Sequence, residues 1–221
     1  MKKRKDWREN MNDAVLCIFT KAPIPGQVKT RLIPTLGKEG ACKLYEELIL
    51  NTLRLSSVLG FAEVRLYCTP TTTHPFLKTC ADKFDIQLHL QEGDDLGARM
   101  DKALSDSLDK FDNALVIGCD CPWMQKRDLE QALAVLSVEK RVVLGPATDG
   151  GYYLLGLSSS MPFLFEDMPW GQASVLRETK ERLRSAGVNW SELDERRDLD
   201  RPEDIIEYRK LTASTKKVTV R

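Results

Sequence analysis

The chain has 221 residues, enough for one generous domain or two cramped ones, and one is the better expectation. A hydrophobic share of 42% and an aromatic share of 7% are ordinary for a soluble globular protein. Lys+Arg and Asp+Glu both number 33, so no global field draws the protein to nucleic acid or to an anionic membrane.

Residues 1–10 are basic, like the start of a signal peptide, but the first apolar run, residues 14–19, is short and passes straight into a loop. That excludes a signal-peptide core and a membrane span in this stretch. No repeat, low-complexity tract or composition shift marks a domain boundary. The expected organisation is a flexible start (residues 1–12), one domain (13–211) and a polar, basic, flexible tail (212–221). Six cysteines, at 17, 42, 68, 80, 119 and 121, are scattered and mostly in apolar contexts. Without a secretion signal they read as reduced, buried thiols in a cytoplasm.

Residues 14–19 suit a central strand covered on both faces. Two prolines and a glycine then make residues 20–32 a loop of fixed shape, from which Lys21, Lys29 and Arg31 project. A basic loop directly after the first strand of an α/β sheet is where phosphates are commonly received. The alternative is a solvated loop with incidental charges; Lys29-Thr30-Arg31 beside Pro and Gly favours phosphate. Neither G-x-x-x-x-G-K-[ST] nor G-x-G-x-x-G is present.

Ala41, Leu44, Tyr45, Leu48, Ile49, Thr52 and Leu53 recur with the 3.6-residue period of an amphipathic helix over residues 37–59. A second strand (63–69), a loop, a short helix (76–84) and a third strand (86–90) follow. His74 precedes a proline and reads as a surface histidine, and His89 alternates with apolar neighbours. Neither is assigned chemistry. In residues 91–100, Asp94 or Asp95 can cap a helix whose inner face is Leu96, Met100, Ala103, Leu104, Leu108 and Phe111. Only one acid is needed as a cap. The other, with Gly93, Gly97 and Arg99, sits at a helix N-terminus where a base or sugar could be read.

The sequence centres on residues 114–122, Ala-Leu-Val-Ile-Gly-Cys-Asp-Cys-Pro. A buried strand (Leu115, Val116, Ile117) runs into Gly118, and a lone carboxylate, Asp120, sits where the strand ends; Pro122 stops it. Ligands of open α/β sheets bind at the carboxyl ends of strands, so Asp120 is placed to hold a divalent metal and a diphosphate. The plain alternative is that Asp120 caps the next helix. Cys119 and Cys121 point to the face opposite Asp120. A lone C-x-C is poor zinc spacing, so both read as buried thiols.

Leu129, Leu133 and Leu136 mark another helix, and residues 141–147 a further strand. Asp149-Gly150-Gly151 is a tight-turn sequence, implying a hairpin or sharp bend. It also puts a second carboxylate, Asp149, just past a second apolar strand. Two acids at two strand ends can build a site for one or two Mg²⁺ or Mn²⁺ ions. Residues 168–171 form a loop with an exposed-looking Trp170, which could stack on a ring or cap the core. Val175, Leu176, Thr179 and Leu183 give a helix, and residues 188–190 a late edge strand. Pro202 suits a first helical position, with Asp200 as N-cap of a last helix holding Ile205, Ile206 and Tyr208. Asp198 is a further candidate metal ligand or catalytic base.

Several segments together are similar to the selenodomain-associated transferase type one family, a branch of the nucleotide-diphospho-sugar transferase superfamily with the glycosyltransferase A fold. They are F-T-K-A-P-I-P-G-Q-V-K-T-R-L (19–32), D-L-G-A-R-M (95–100), I-G-C-D-C-P (117–122) and L-G-P-A-T-D-G-G-Y-Y-L-L-G-L (144–157). M-P-W (168–170) and D-L-D-R-P-E-D (198–204) complete the series. The resemblance implies a three-layer α/β sandwich with a mixed, mostly parallel sheet, and a nucleotide-activated substrate held through Mg²⁺ or Mn²⁺. By position it makes Asp120 the metal-binding acid and Asp149 a second ligand or catalytic group. It puts Lys21, Lys29 and Arg31 on the donor phosphates, and Asp95, Gly97 and Arg99 on the nucleoside. Many metal-dependent glycosyltransferases of this fold carry Asp-x-Asp where this chain has Cys-Asp-Cys. The first loop and single acid also resemble molybdenum-cofactor and phospholactate guanylyltransferases.

The expected function is a metal-dependent transferase moving a glycosyl group from a nucleotide sugar to a small-molecule acceptor. The alternative is nucleotidyl transfer from a nucleoside triphosphate, with pyrophosphate released. A second alternative, a non-catalytic nucleotide-binding protein, is disfavoured by the presence of both Asp120 and Asp149. Neither nucleic acid nor membrane insertion is expected.

Overall fold

Near-continuous apolar runs pair edge to edge, and the amphipathic segments between them fold back over both faces of the sheet they make. The structure, a computed structural model, describes residues 13–139 and 142–218. The expected flexible start (1–12), Arg141 and the last residues of the expected tail (219–221) lie outside the described residues.

The strands are β1 (Ala14–Lys21), β2 (Glu63–Thr69), β3 (Gln87–Leu90), β4 (Asn113–Gly118), β5 (Val142–Pro146), β6 (Tyr152–Leu157) and β7 (Trp190–Glu192). The helices are α1 (Ile33–Ser57), α2 (Pro75–Phe84), α3 (Leu96–Leu108), α4 (Lys126–Glu139), α5 (Val175–Ser185) and α6 (Pro202–Val218). The strands form one sheet in the order β3-β2-β1-β4-β6-β5-β7. β6 runs antiparallel to β4 and β5, and every other pairing is parallel. The fold is therefore the α/β sandwich with a mixed, mostly parallel sheet that the sequence led us to expect.

Alternation along the strands divides the core in two. Ala14, Leu16 and Ile18 of β1 face a cluster with Leu48 of α1, Leu77 of α2, Leu129 of α4 and Tyr208 of α6. Val15 and Cys17 face the other cluster, with Met100 and Leu104 of α3 and Leu183 of α5. A strand buried on both sides has no polar face to show, which is why β1 and β4 read as unbroken apolar runs. α1 is interrupted at Gly37, whose φ of +71° suits glycine, and its amphipathic stretch begins there.

Four expectations change. β7 starts two residues later than the expected 188–190 edge strand, because Val188 N–H is still satisfied by the Leu183 carbonyl closing α5. α6 continues through residues 212–218, where a tail was expected; nothing there is Gly or Pro to stop it. Ile206 is 61% exposed, since only Ile205 and Tyr208, three apart, share the inner face of α6. Asp200 does not cap α6. Asp204 accepts from the backbone N–H groups of Asp200 (3.0 Å) and Arg201 (2.8 Å) instead, leaving the Asp200 carboxylate for other partners. No helix among the described residues is long and apolar enough to cross a membrane.

Candidate active site

β1 and β4 lie side by side, in register from Ala14 opposite Asn113 to Phe19 opposite Gly118. The chain leaves β1 for α1 on one face of the sheet and arrives at β4 from α3 on the other. Their carboxyl ends therefore flank the crevice where strand order reverses, the usual ligand position in open α/β sheets. Asp120 lies two residues past β4, with its side chain 47% exposed; Cys119 and Cys121 on either side are buried.

The loop after β1 is pinned by its own backbone. Ala22 N–H donates to the Thr69 carbonyl at 2.7 Å, and Gln27 N–H to that of Ile24 at 2.9 Å. At its end Lys29 adopts the left-handed conformation (φ 45°, ψ 44°), uncommon for a residue other than glycine. The expectation that three cations project from this loop holds for Lys21 and Arg31, which are exposed, but not for Lys29. The Lys29 side chain is only 4% exposed, and Nζ lies 2.6 Å from Asp120 Oδ1 and 3.0 Å from Asp200 Oδ1. It also donates to the Leu199 carbonyl at 2.7 Å. Burial alone would lower the Lys29 pKa, but the charges of Asp120 and Asp200 and the hydrogen bonds to both outweigh it and hold the pKa above its ordinary value. Arg31, 75% exposed, pairs with the other Asp200 oxygen at 3.2 Å.

The segment carrying Asp198 and Asp200 is held in place by backbone pairing. Thr148 N–H donates to the Arg196 carbonyl and Arg196 N–H to that of Pro146, both at 2.9 Å, extending the line of β5. Leu199 N–H then donates to the Asp120 carbonyl at 2.8 Å. Leu199 is fully buried between two acids, so Asp198 and Asp200 are both brought to the end of β4. Burial, then the nearby charges of Asp120 and Asp149, push the Asp198 carboxyl up to about 7, with Lys29 opposing the rise. Asp198 is thus protonated or ionised in comparable measure at neutral pH. Asp149 sits in the β5–β6 hairpin turn, where its Oδ1 accepts from Gly151 N–H at 2.9 Å. The next residue, Gly150, has φ +89°, and a Cβ there would lie 2.1 Å from the Ala173 carbonyl oxygen. Only glycine lets this turn dock so closely against the start of α5.

The expected nucleoside residues are occupied otherwise. Asp95 is the cap of α3, accepting from Ala98 N–H at 2.8 Å, so Asp94 is the acid left over. Gly97 is buried under Trp170: a Cβ would meet the indole Nε1 at 2.5 Å. Arg99 Nε braces the loop through the Gly93 carbonyl at 2.9 Å. Among the described residues no hydrogen bond or ion pair joins these three to the Asp120 cluster. Trp170, expected as exposed, is half-buried edge-on to Tyr152, and its Nε1 is buried without a partner.

The acids suit a hard cation such as Mg²⁺ or Mn²⁺ in kind, since every donor is an oxygen. In position, Asp120 and Asp200 close on the Lys29 ammonium. Among the described residues no three acidic, histidine or cysteine side chains stand ready to enclose a metal ion.

Sequence reasoning treated Asp200 as a cap and Lys29 as a free loop cation. The signal that could have joined them was the spacing in Asp198-Leu199-Asp200, two acids about a buried leucine.

A family profile described as "uncharacterized protein conserved in bacteria (DUF2064)" matches residues 52–172. The chain belongs to this family. The matched stretch runs from within α1 past Trp170 and includes Asp120 and Asp149, but stops short of Asp198 and Asp200. No curated protein sequence matches the chain. A crystal structure of a "putative nucleotide-diphospho-sugar transferase" from Desulfovibrio desulfuricans G20 is similar, with a TM-score of 0.79 and 29% identity, over 86% of this chain and 83% of that one. CMP:2-keto-3-deoxy-manno-octonic acid synthetase complexed with CTP matches with a TM-score of 0.60 and 14% identity, over 92% and 99%. Glucosyl-3-phosphoglycerate synthase from Mycobacterium tuberculosis, solved with Mn²⁺, UDP and glucosyl-3-phosphoglycerate, matches with a TM-score of 0.54 and 12% identity, over 91% and 78%. At such identities the last two show a shared fold.

Proposed function

We propose that the chain is a metal-dependent transferase acting on a nucleotide-activated substrate, with glycosyl transfer from a nucleotide sugar as the leading reaction. The observation that carries this reading is Asp120 at the end of a central strand, beside the sheet's reversal point, with Asp198 close enough that, after burial, the charges of Asp120 and Asp149 both raise its carboxyl pKa. Likeness to the D. desulfuricans structure and the motif resemblance to selenodomain-associated transferases support it. In this reading Asp120 would hold the cation, with Asp149 as a second ligand, and a bound Mg²⁺ or Mn²⁺ would neutralise the diphosphate and the charge that develops on it. Arg31 and Lys21, exposed on the first loop, meet the outer phosphate oxygens. Asp198, held near neutrality, is the carboxyl best suited to take a proton from an acceptor hydroxyl. The six described thiols are free and buried, which supports a reducing, cytoplasmic setting.

A second reading, nucleotidyl transfer, is favoured by the lone acid at the end of β4, whose partners come from a separate segment rather than from an Asp-x-Asp pair. The products separate the two. Incubation with nucleotide sugars and Mn²⁺ should give slow hydrolysis to sugar and nucleoside diphosphate, water standing in for the acceptor. Asp120→Asn, which keeps the shape and removes the charge, should abolish it while leaving the protein folded. Pyrophosphate release from a triphosphate, with no hydrolysis of any nucleotide sugar, promotes the second reading. Binding without turnover of either class returns the chain to a nucleotide-binding protein.

A further inference from the structure

We propose that Lys29 is a positioning residue: its ammonium ties the 198–200 segment to the end of β4, and so holds Asp198 and Asp120 in the relative places that the transfer reaction needs. The inference rests on the transferase reading above and adds to it what the first loop does for the acids. An ammonium has three donors and no acceptor. Those of Lys29 meet three acceptors from two segments far apart in the chain: Asp120 Oδ1 at 2.6 Å, Asp200 Oδ1 at 3.0 Å and the Leu199 carbonyl at 2.7 Å. The side chain is 4% exposed, so no donor is left over for a substrate phosphate. Lys21 and Arg31 are the exposed cations of this loop.

The tether is rigid at its base. Val28 before Lys29 and Leu32 after it are buried, and Leu32 N–H donates to the Lys29 carbonyl at 2.9 Å. Lys29 itself is held at φ 45°, a conformation that a residue with a side chain keeps only where its surroundings fix it. At the other end, Leu199 N–H donates to the Asp120 carbonyl at 2.8 Å while its own carbonyl accepts from Lys29. Both polar groups of the Leu199 backbone are therefore tied to the end of β4 or to the loop that serves it. Asp198 is the preceding residue, so it cannot shift far without breaking one of these bonds. Asp120 is gripped through Oδ1 and stays 47% exposed, so the contact fixes that carboxylate without closing it off. Misplacing a reacting group by about 1 Å can cost roughly a hundredfold in rate, even when the altered residue touches no substrate.

The test first reads the tether in the protein alone, by amide hydrogen exchange followed with NMR. Lys29→Met keeps the apolar stem and removes the ammonium. The Leu199 amide should then exchange on the order of tenfold faster, while the amides of β1 and β4 keep their protection. Asp200→Asn, at a half-exposed acid, weakens the tether without emptying it and should speed the same amide several-fold; it decides the matter if Lys29→Met folds poorly. Turnover gives the second reading. In the nucleotide-sugar hydrolysis assay, Lys29→Met should lower kcat roughly 10- to 100-fold and leave KM within about twofold, whereas loss of a substrate contact made before the chemical step raises KM. Unchanged exchange at Leu199, or a KM that rises while kcat holds, overturns the inference and leaves the proposed activity standing. Wild-type protein that turns over no nucleotide sugar overturns the leading activity instead, and the exchange measurements by themselves then uphold or overturn the tether.

Discussion

Arg196 and Lys29 are both largely buried cations that meet aspartates, and they do so on opposite terms. Arg196 holds both oxygens of one buried acid, Asp128, at 2.8 and 3.0 Å, with the exposed Asp194 at 3.5 Å beside it, and Gln125 N–H adds a further Asp128 contact at 2.8 Å. Asp128 is fully buried, so charge and hydrogen bonds are matched and closed off from water. Lys29 faces Asp120 and Asp200, which are 47% and 40% exposed, and two more acids, Asp149 and Asp198, add negative charge nearby. One arrangement is balanced and finished; the other carries surplus charge of one sign and is open on one side. Arg31 offsets Asp200, and Asp120, Asp149 and Asp198 still outnumber the remaining cation, Lys29. Surplus charge of that kind is what the proposed cation would meet.

The contrast is broken most severely on the closed side. Asp128→Ala leaves the Arg196 guanidinium, only 14% exposed, with no acid but the exposed Asp194 at 3.5 Å. Removing one partner of a buried pair typically costs about 3–5 kcal/mol. For a domain of this size that corresponds to a fall in Tm of roughly 6–20 °C by scanning calorimetry. A loss near zero would show that the pair is hydrated and that burial does not separate the two centres.

The contrast is sharpened by pH at Asp198. Its carboxyl is raised from an ordinary value of 3.8 to about 7 by burial first, then by Asp120 and Asp149. The folded state therefore keeps a proton that the unfolded chain releases. Stability from this group is intact below about pH 4, drains away as pH rises, and is fully lost above about 7. Asp198→Asn, uncharged throughout, lacks that slope. Without metal, it should melt on the order of a few degrees above the wild type at pH 8, with the gap narrowing as pH falls and closing only by about pH 4. A gap that does not vary with pH would mean that Asp198 is not strained by its neighbours.

The two centres were not equally legible in the sequence. The strands around Asp120 were, because burial on both faces forces unbroken apolar runs, and Pro122 and the Asp-Gly-Gly turn punctuate them locally. Asp120 and Asp149 could be singled out because strand ends are positions defined along the chain. The partners were not legible. Asp200 reaches Lys29 across 171 residues of sequence, and Asp128 reaches Arg196 across 68. Local rules also misled: an acid before Arg-Pro reads as a helix cap, although here Asp204 provides that service from inside the helix. Lys29 sits in a loop rich in Pro and Gly, and no periodicity says that its side chain turns inward.

The smallest expected effect on stability, and the finest probe of the open centre, is at Arg31. It touches Asp200 at 3.2 Å while remaining 75% exposed, and pairs of that kind are worth about 0–1 kcal/mol. Arg31→Ala should therefore shift Tm by no more than about 4 °C, far less than Asp128→Ala. Its effect on ligands should be larger. A guanidinium that meets phosphate through charge-assisted hydrogen bonds contributes about 1–3 kcal/mol, so nucleoside diphosphate affinity should fall roughly five- to 150-fold. Affinity for the matching nucleoside, which lacks phosphate, should hardly change. Calorimetry with both ligands reads the difference directly. Equal losses would mean that Arg31 shapes the first loop, and no loss for either would confine it to neutralising Asp200. Only the selective loss makes Arg31 the exposed cation that reads phosphate, while Lys29, a short step along the same loop, is kept for the acids.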